Sequence, residues 1–318
     1  IYQQYSDRVE PFGIDESWID VTHTKHLFGS GEKIADTIRS RIKSELGLTV
    51  SVGVSFNKVF AKLGSDYKKP DATTVITKEN YKNIVWPLPV DNLLFVGKSS
   101  KGVLERLGIH TIGELARFDR DAIVTALGKT GGMIHDYANG IDDSPVSLSH
   151  QKHEVKSVGN SMTFKRNLLG ADDIKTALLS LTDNVSARLR AKGLIASTLQ
   201  ITIKNTDLKS ITRQKQPNQP TNLAHELFTC AFEIISASWD CKNPIRMLTV
   251  TGANLLPADG TSQTTMFETE SNQHLKHEKL QSAMDNIRSR YGKAAITYAP
   301  LIGNDLGIET GKDEDTDE

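Results

Sequence analysis

The feature that most constrains the fold is the order in which hydrophobic periodicity changes between residues 155 and 257. Val155 to Thr163 is strand-like. Ala171 to Lys192 then places Ile174, Leu178, Leu181, Val185 and Leu189 on one stripe of a long helix. Thr198 to Lys204 alternates, with Leu199, Ile201 and Ile203 on one face, and the polar run Lys204 to Gln219 is expected to hold a hairpin or loop. Leu223 to Trp239 returns to helical spacing and Arg246 to Leu255 to a strand. The order β-α-β-β-α-β is a split βαβ arrangement, in which a sheet is backed by two helices.

This module fills only part of a 318-residue chain, more than one hydrophobic core usually organises. Tyr5 to Lys78 forms a second α+β pattern. Strand-like Trp18 to Val21 precedes Gly31 to Leu46, where Ile34, Ile38, Ile42 and Leu46 mark one helix face and Gly47 ends it. Leu48 to Val54 is a predicted strand, Ser55 a predicted cap for a helix from Asn57 to about Tyr67, and Thr73 to Ile76 a further short strand. Pro87 and Pro89 punctuate the end of this module. Short helices follow at Ser100 to Leu107, Thr111 to Arg117 and Arg120 to Leu127, with Gly97, Gly108, Gly128, Gly131 and Gly132 at the breaks. The chain is therefore expected to be a multidomain α+β protein divided at 1–86, 87–141, a polar linker 142–154, 155–257, and 258–318, the last containing a helix near Lys276 to Tyr291.

Composition narrows the class. With 38% hydrophobic and 24% charged residues the chain has globular character, and no apolar run reaches the roughly eighteen residues of a membrane span. The first ten residues have no secretory pattern and no initiating Met; they open in mid-pattern, as a chain truncated at its N-terminus would. Cys230 and Cys241 are too few for a disulfide framework and have no metal-ligand spacing, and the histidines sit in polar stretches without a triad. The formal net charge of −1 conceals a mostly acidic end, Glu309 to Glu318, that leaves the remainder weakly positive. A weak excess of this kind favours a polyanionic partner.

Two segments carry chemistry. Asp15 and Glu16 are adjacent carboxylates just before a strand. In a regular strand they would point to opposite faces, so they could share a site only at a bend or hairpin tip, for which Gly13 is suited. Hard oxygen donors of this type suit magnesium, which completes its shell with phosphate oxygens. Lys58 and Lys62 lie four apart in the predicted helix after Ser55, and project from one face. A cationic face beside a carboxylate pair suits a nucleoside triphosphate.

Both segments match longer patterns. Tyr5 to Asp20 has the form Tyr-Ser-x-x-x-Glu-x-x-x-Ile-Asp-Glu-x-x-x-Asp, and Ser51 to Pro70 combines a strand with Asn-Lys, Ala-Lys and Lys-Pro. Together they resemble the palm signatures of the Y-family, or translesion, DNA polymerases. The resemblance implies that Asp15 and Glu16 are catalytic metal ligands for two Mg2+ ions and that Lys62, with Lys58 beside it, meets the incoming nucleotide. It implies a partial palm, a helix-hairpin-helix thumb and a βαββαβ little finger. The thumb rests on Val96 to Ala116, where Gly97, Lys98, Ser99 and Lys101 are expected to hold DNA phosphates. Phe95 stands there in place of the first glycine of the usual Gly-x-Gly hairpin. Lys156 to Arg166 resembles the first little-finger strand, with Ser157, Ser161, Thr163, Lys165 and Arg166 as expected DNA contacts. Gln263, Met266 and Phe267 resemble a sliding-clamp-binding peptide.

The implied activity is low-fidelity, template-directed nucleotidyl transfer past damaged bases. Its partners would be primer-template DNA, a deoxynucleoside triphosphate and a sliding clamp, with no membrane, and the protein would act as a monomer in the cytoplasm. The family's first metal-binding Asp and its fingers precede the first residue here, so this fragment alone is expected to be inactive. The rival expectations are a catalytically dead DNA- and clamp-binding adaptor, and a helix-hairpin-helix repair nuclease. The acidic pair argues against the first, and the Asn-Lys-x-x-Ala-Lys pattern is unexplained by the second.

Overall fold

A computed structural model describes residues 1–151, 154–258 and 271–308. Gln263, Met266, Phe267 and the acidic stretch Glu309 to Glu318 lie outside the described residues. The chain forms two compact units, Ile1–Lys152 and His153–Glu318.

The first unit opens with an antiparallel hairpin, β1 (Val9–Pro11) and β2 (Ser17–Ile19), in which Glu10 pairs with Trp18. A single turn, α1 (Lys25–Phe28), leads to α2 (Gly31–Leu46). The Ser30 hydroxyl accepts the Lys33 N–H at 3.2 Å, and Gly47 ends α2 in the left-handed conformation at φ 69°. Ile34, Ile38 and Ile42 of the predicted stripe are buried, with Ala35 beside them, while Leu46, the fourth predicted position, lies exposed at the end of α2. β3 (Val52–Val54), α3 (Lys58–Tyr67) and β4 (Thr73–Val75) form a parallel βαβ unit. The sequence points to Ser55 as the cap of α3, but the cap is Asn57, whose side chain accepts the Phe60 N–H at 2.8 Å. Ser55 instead donates to the Ile76 carbonyl at 2.9 Å, fastening the end of β3 to that of β4. The predicted strand from Leu48 shrinks to three residues because that is the length over which β4 pairs with it.

Helix α3 sits directly on β3. A Cβ on Gly53 would overlap the Ala61 carbonyl oxygen, and one on Gly64 would come within 3.0 Å of the Gly53 Cα. These two glycines therefore set the depth at which α3 lies.

α4 (Tyr81–Ile84) is followed by α5 (Lys98–Arg106), α6 (Ile112–Arg117) and α7 (Arg120–Ala138). Thr111 and Glu114 close a capping box on α6. The helical path breaks after Leu127 as expected: Gly128, at φ 65° and ψ −148°, is non-helical, and a second helical stretch runs on to Ala138. The Trp86 indole N–H donates to the Ala138 carbonyl at 3.1 Å, tying the end of α7 to the segment after α4. The apolar core does not break at Pro87. Phe60, Leu63 and Ile76 join Val90, Leu104, Ile112, Ile123 and Ile134 in one cluster.

The second unit has the predicted topology. β5 (Ser157–Leu168), β6 (Leu194–Asn205), β7 (Ser210–Lys215) and β8 (Ile245–Pro257) form an antiparallel sheet in the order β5-β8-β6-β7. α8 (Gly170–Ala191) and α9 (Ala224–Ser238) cover one face. Ile174, Leu178, Leu181, Val185 and Leu189 of α8 are all fully buried, each contributing roughly 1.5–3 kcal/mol. α10 (Ser271–Tyr291) docks on α8 through ion pairs of Arg190 with Asp285 at 2.6 Å and of Arg288 with Asp183 at 2.8 Å.

Candidate active site and nucleic-acid interface

The β1–β2 hairpin brings the two adjacent acids to its tip. The Phe12 N–H donates to the Glu16 carbonyl at 2.8 Å and closes the turn, while Gly13 takes φ 85°. Asp15 lies exposed in the bend and Glu16 is half-buried at its foot. A bend of this kind relieves the alternation that would separate neighbouring side chains in a strand.

Helix α3 supplies the cations. Lys62 Nζ lies 3.0 Å from Glu16 Oε1 and 2.6 Å from Asp66 Oδ2, and Asp66 also pairs with Lys69 at 2.7 Å. Burial alone would lower the Lys62 ammonium, but its hydrogen bonds to Asp66 and Glu16 outweigh this and hold it above the usual lysine value. Lys62 is therefore a protonated cation in direct contact with the second acid of the pair.

Lys58 has a different environment. Its Nζ reaches both Glu10 carboxylate oxygens at 2.8 and 2.7 Å and lies 5.0 Å from the centre of the Trp18 ring, whose indole N–H donates to the Lys58 carbonyl at 3.0 Å. The two lysines do lie four apart on α3, but the hairpin engages each through a separate carboxylate. Glu10 received no role from the sequence. Its partner is 48 positions away, beyond the reach of any local spacing rule, whereas the Lys62–Asp66 pair follows the visible i, i+4 pattern.

In the helical part of the first unit, Phe95 occupies φ 68°, the left-handed region that the missing glycine would adopt freely. Holding a non-glycine residue there costs on the order of 1–2 kcal/mol. The Val96 N–H donates to the Leu93 carbonyl at 3.1 Å, and Gly97 caps α5 with its backbone extended. Gly97, Lys98 and Ser99 are exposed at this helix start; Lys101 instead pairs with Asp91 at 2.8 Å.

In the second unit, Ser157, Ser161, Thr163 and Lys165 share the exposed face of β5, away from α8 and α9. Ser161, Thr249, Thr202 and Thr212 stand opposite one another across β5, β8, β6 and β7. Thr249 is 2.9 Å from Ser161, and Thr202 is 2.9 Å from Thr212. Arg166 differs from its expected place in that group. The β5–β8 pairing shifts between Thr163 and Leu168, and there the Lys165 N–H donates to the Leu306 carbonyl at 2.8 Å. The Arg166 guanidinium is held by Asp173 and by Asp305, the latter at 2.7 Å. Its charge is thus neutralised within the protein.

Among the described residues no three His, Cys, Asp or Glu side chains converge as a metal cage, and no helix is long and apolar enough to cross a membrane. The hairpin acids supply hard oxygen donors, but a cation held there needs further oxygens, such as those of phosphate.

Residues 1–66 match the impB/mucB/samB family and residues 155–266 its C-terminal domain. A Y-family DNA polymerase chimera of known structure superposes with a TM-score of 0.68, at 22% identity, over 80% of this chain and 73% of its own, a likeness of fold. These features define a Y-family, translesion-type DNA polymerase. DNA polymerase IV of Acetivibrio thermocellus is 44% identical over 97% of this chain and 77% of its own length. The Clostridium kluyveri enzyme is 36% identical over 95% and 76%, and DNA polymerase IV 1 of Bacillus subtilis 36% identical over 93% and 70%. The chain belongs to the DNA polymerase IV family.

Proposed function

We propose that Asp15 and Glu16 hold two catalytic Mg2+ ions for nucleotidyl transfer and that Lys62 meets the triphosphate of the incoming deoxynucleotide. The observation that supports this is the 3.0 Å contact between Lys62 on α3 and Glu16 on the hairpin, where Asp15 is the neighbouring residue. Bound there, the metal supplies activation of the primer 3′-hydroxyl and charge stabilisation for the departing pyrophosphate. The chain's own part is positioning. Asp15 and Glu16 would hold the cation, and Lys62 would present its ammonium to the phosphates, where charge develops in the transition state.

DNA is gripped without regard to sequence. Gly97, Lys98 and Ser99 offer backbone N–H groups and charge at the start of α5 for a backbone phosphate. Ser157, Ser161, Thr163 and Lys165 line an open sheet face that suits a second phosphate track. Gln263, Met266 and Phe267 are the proposed sliding-clamp contact, and the protein works as a cytoplasmic monomer. Extension of a primed template by the full-length protein tests the catalytic reading. Synthesis should require a divalent cation and continue past an abasic site in the template. DNA binding with no nucleotide incorporation at any cation concentration would leave the adaptor role instead.

A further inference from the structure

The hairpin and α3 are joined by two ion pairs one helical turn apart. The outer pair, Glu16 with Lys62, lies at the tip; the inner pair, Glu10 with Lys58, lies at the base. They differ in how firmly they are held. The Lys62 and Glu16 side chains are 17% and 34% exposed, whereas those of Lys58 and Glu10 are 12% and 18% exposed. The Lys58 ammonium touches both Glu10 oxygens and lies over the Trp18 ring. Trp18 is the residue paired with Glu10 across the hairpin, and its indole bonds the Lys58 carbonyl. The Glu10 carboxylate also accepts the Ser147 N–H at 2.8 Å, and the Arg8 guanidinium donates to the Val146 carbonyl at 3.1 Å. Glu10 therefore joins the hairpin, the first residue of α3, and the segment that follows the thumb helices.

We infer that the Glu10–Lys58 pair is a permanent rung that sets the register of the acid hairpin against α3, making both of them positioning residues and leaving Lys62 alone to meet the nucleotide. A triphosphate that captured Lys58 would leave a mostly buried carboxylate without its cation, which is strongly unfavourable. Lys62 faces no such penalty, because Glu16 gains a metal ion as it loses the lysine. The inference rests on the proposed metal role of Asp15 and Glu16, since the rung matters to the reaction only if the hairpin tip carries it.

Lysine acetylation, quantified by mass spectrometry, tests this without turnover. The full-length protein would be bound to a dideoxy-terminated primer-template with Mg2+, with and without the complementary nucleotide. Lys58 should label slowly in both states, and about tenfold faster in Glu10→Gln, as expected when a buried pair is broken. Protection of Lys58 that appears only on adding nucleotide would overturn the inference. In steady-state extension, Glu10→Gln and Lys58→Met should each lower kcat about tenfold, with the nucleotide KM changed less than about twofold. The double variant should be no worse than either single one, and Lys58→Arg, which keeps the pair, should recover most of the loss. Losses that multiply in the double variant, or a rise in KM alone for Lys58→Met, would refute the rung. Asp15→Ala, assayed alongside, separates the two ideas. Its retention of activity would defeat the metal assignment while the labelling pattern still reports on the rung.

Discussion

Lys62 and Glu16 meet at 3.0 Å, so the helix that follows β3 delivers its cation to the tip of a hairpin more than forty residues earlier in the chain. Asp66 holds the other side of the same ammonium at 2.6 Å. The lysine is thus held between two carboxylates, Glu16 on the hairpin and Asp66 on its own helix.

Removing this cation should weaken nucleotide capture more than folding. Lys62→Ala is expected to raise the nucleotide KM about tenfold or more, roughly the effect of losing a charged hydrogen bond to phosphate. Its melting temperature should stay close to that of the parent, because the two carboxylates it leaves, Glu16 and Asp66, are 34% and 46% exposed and are solvated by water. Steady-state kinetics beside thermal melts would check both.

The carboxylates that pair with these lysines give a defined acid limb. Burial pushes Glu10 up, but its bonds to Lys58 and to the Ser147 N–H outweigh this and hold it below the ordinary value of 4.5. Asp66 is likewise held below its ordinary 3.8, burial being outweighed by Lys62 and Lys69. A depressed carboxylate contributes stability that is complete above its unfolded value and is lost as pH falls through the folded one. The melting temperature should therefore be flat down to about pH 5 and fall beneath it. Glu10→Gln should start lower and fall less steeply; parallel curves for the two proteins would show that Glu10 is not part of the acid limb.

Gly53 is a steric test of the α3–β3 contact. A methyl group there would collide with the Ala61 backbone, so Gly53→Ala is expected to cost about 3 kcal/mol. Urea denaturation would measure it as a lower midpoint with an unchanged slope.

Lys165 and Arg166 are neighbours with different expected effects. Arg166 is committed to Asp173 and Asp305, so Arg166→Ala should lower stability and leave DNA affinity nearly intact. Lys165→Ala should weaken DNA binding and reduce the slope of log affinity against log salt by about one. Binding titrations over a range of salt would distinguish the two.

Much of the fold was legible because its cues are local. The α8 stripe, the alternation of β6 and the Gly47 stop each act within a few residues, and they gave α2, α8 and the β-α-β-β-α-β order. The acids and Lys62 were legible as a pattern of residues along the chain. Long-range contacts carried no such mark. Glu10 with Lys58, Arg166 with Asp305, and the Ser55 hydroxyl on Ile76 all depend on chain segments brought together by the fold. Phe95 shows the reverse case: its substitution for glycine was visible, and the backbone keeps the left-handed conformation regardless.

If the hairpin tip is a metal-dependent catalytic centre, Asp15→Ala in the full-length protein removes its chemistry and little else. Primer extension with Mg2+ should fall at least about a thousandfold, while affinity for primer-template DNA and the melting temperature stay near those of the parent. Extension within about tenfold of the parent would contradict it.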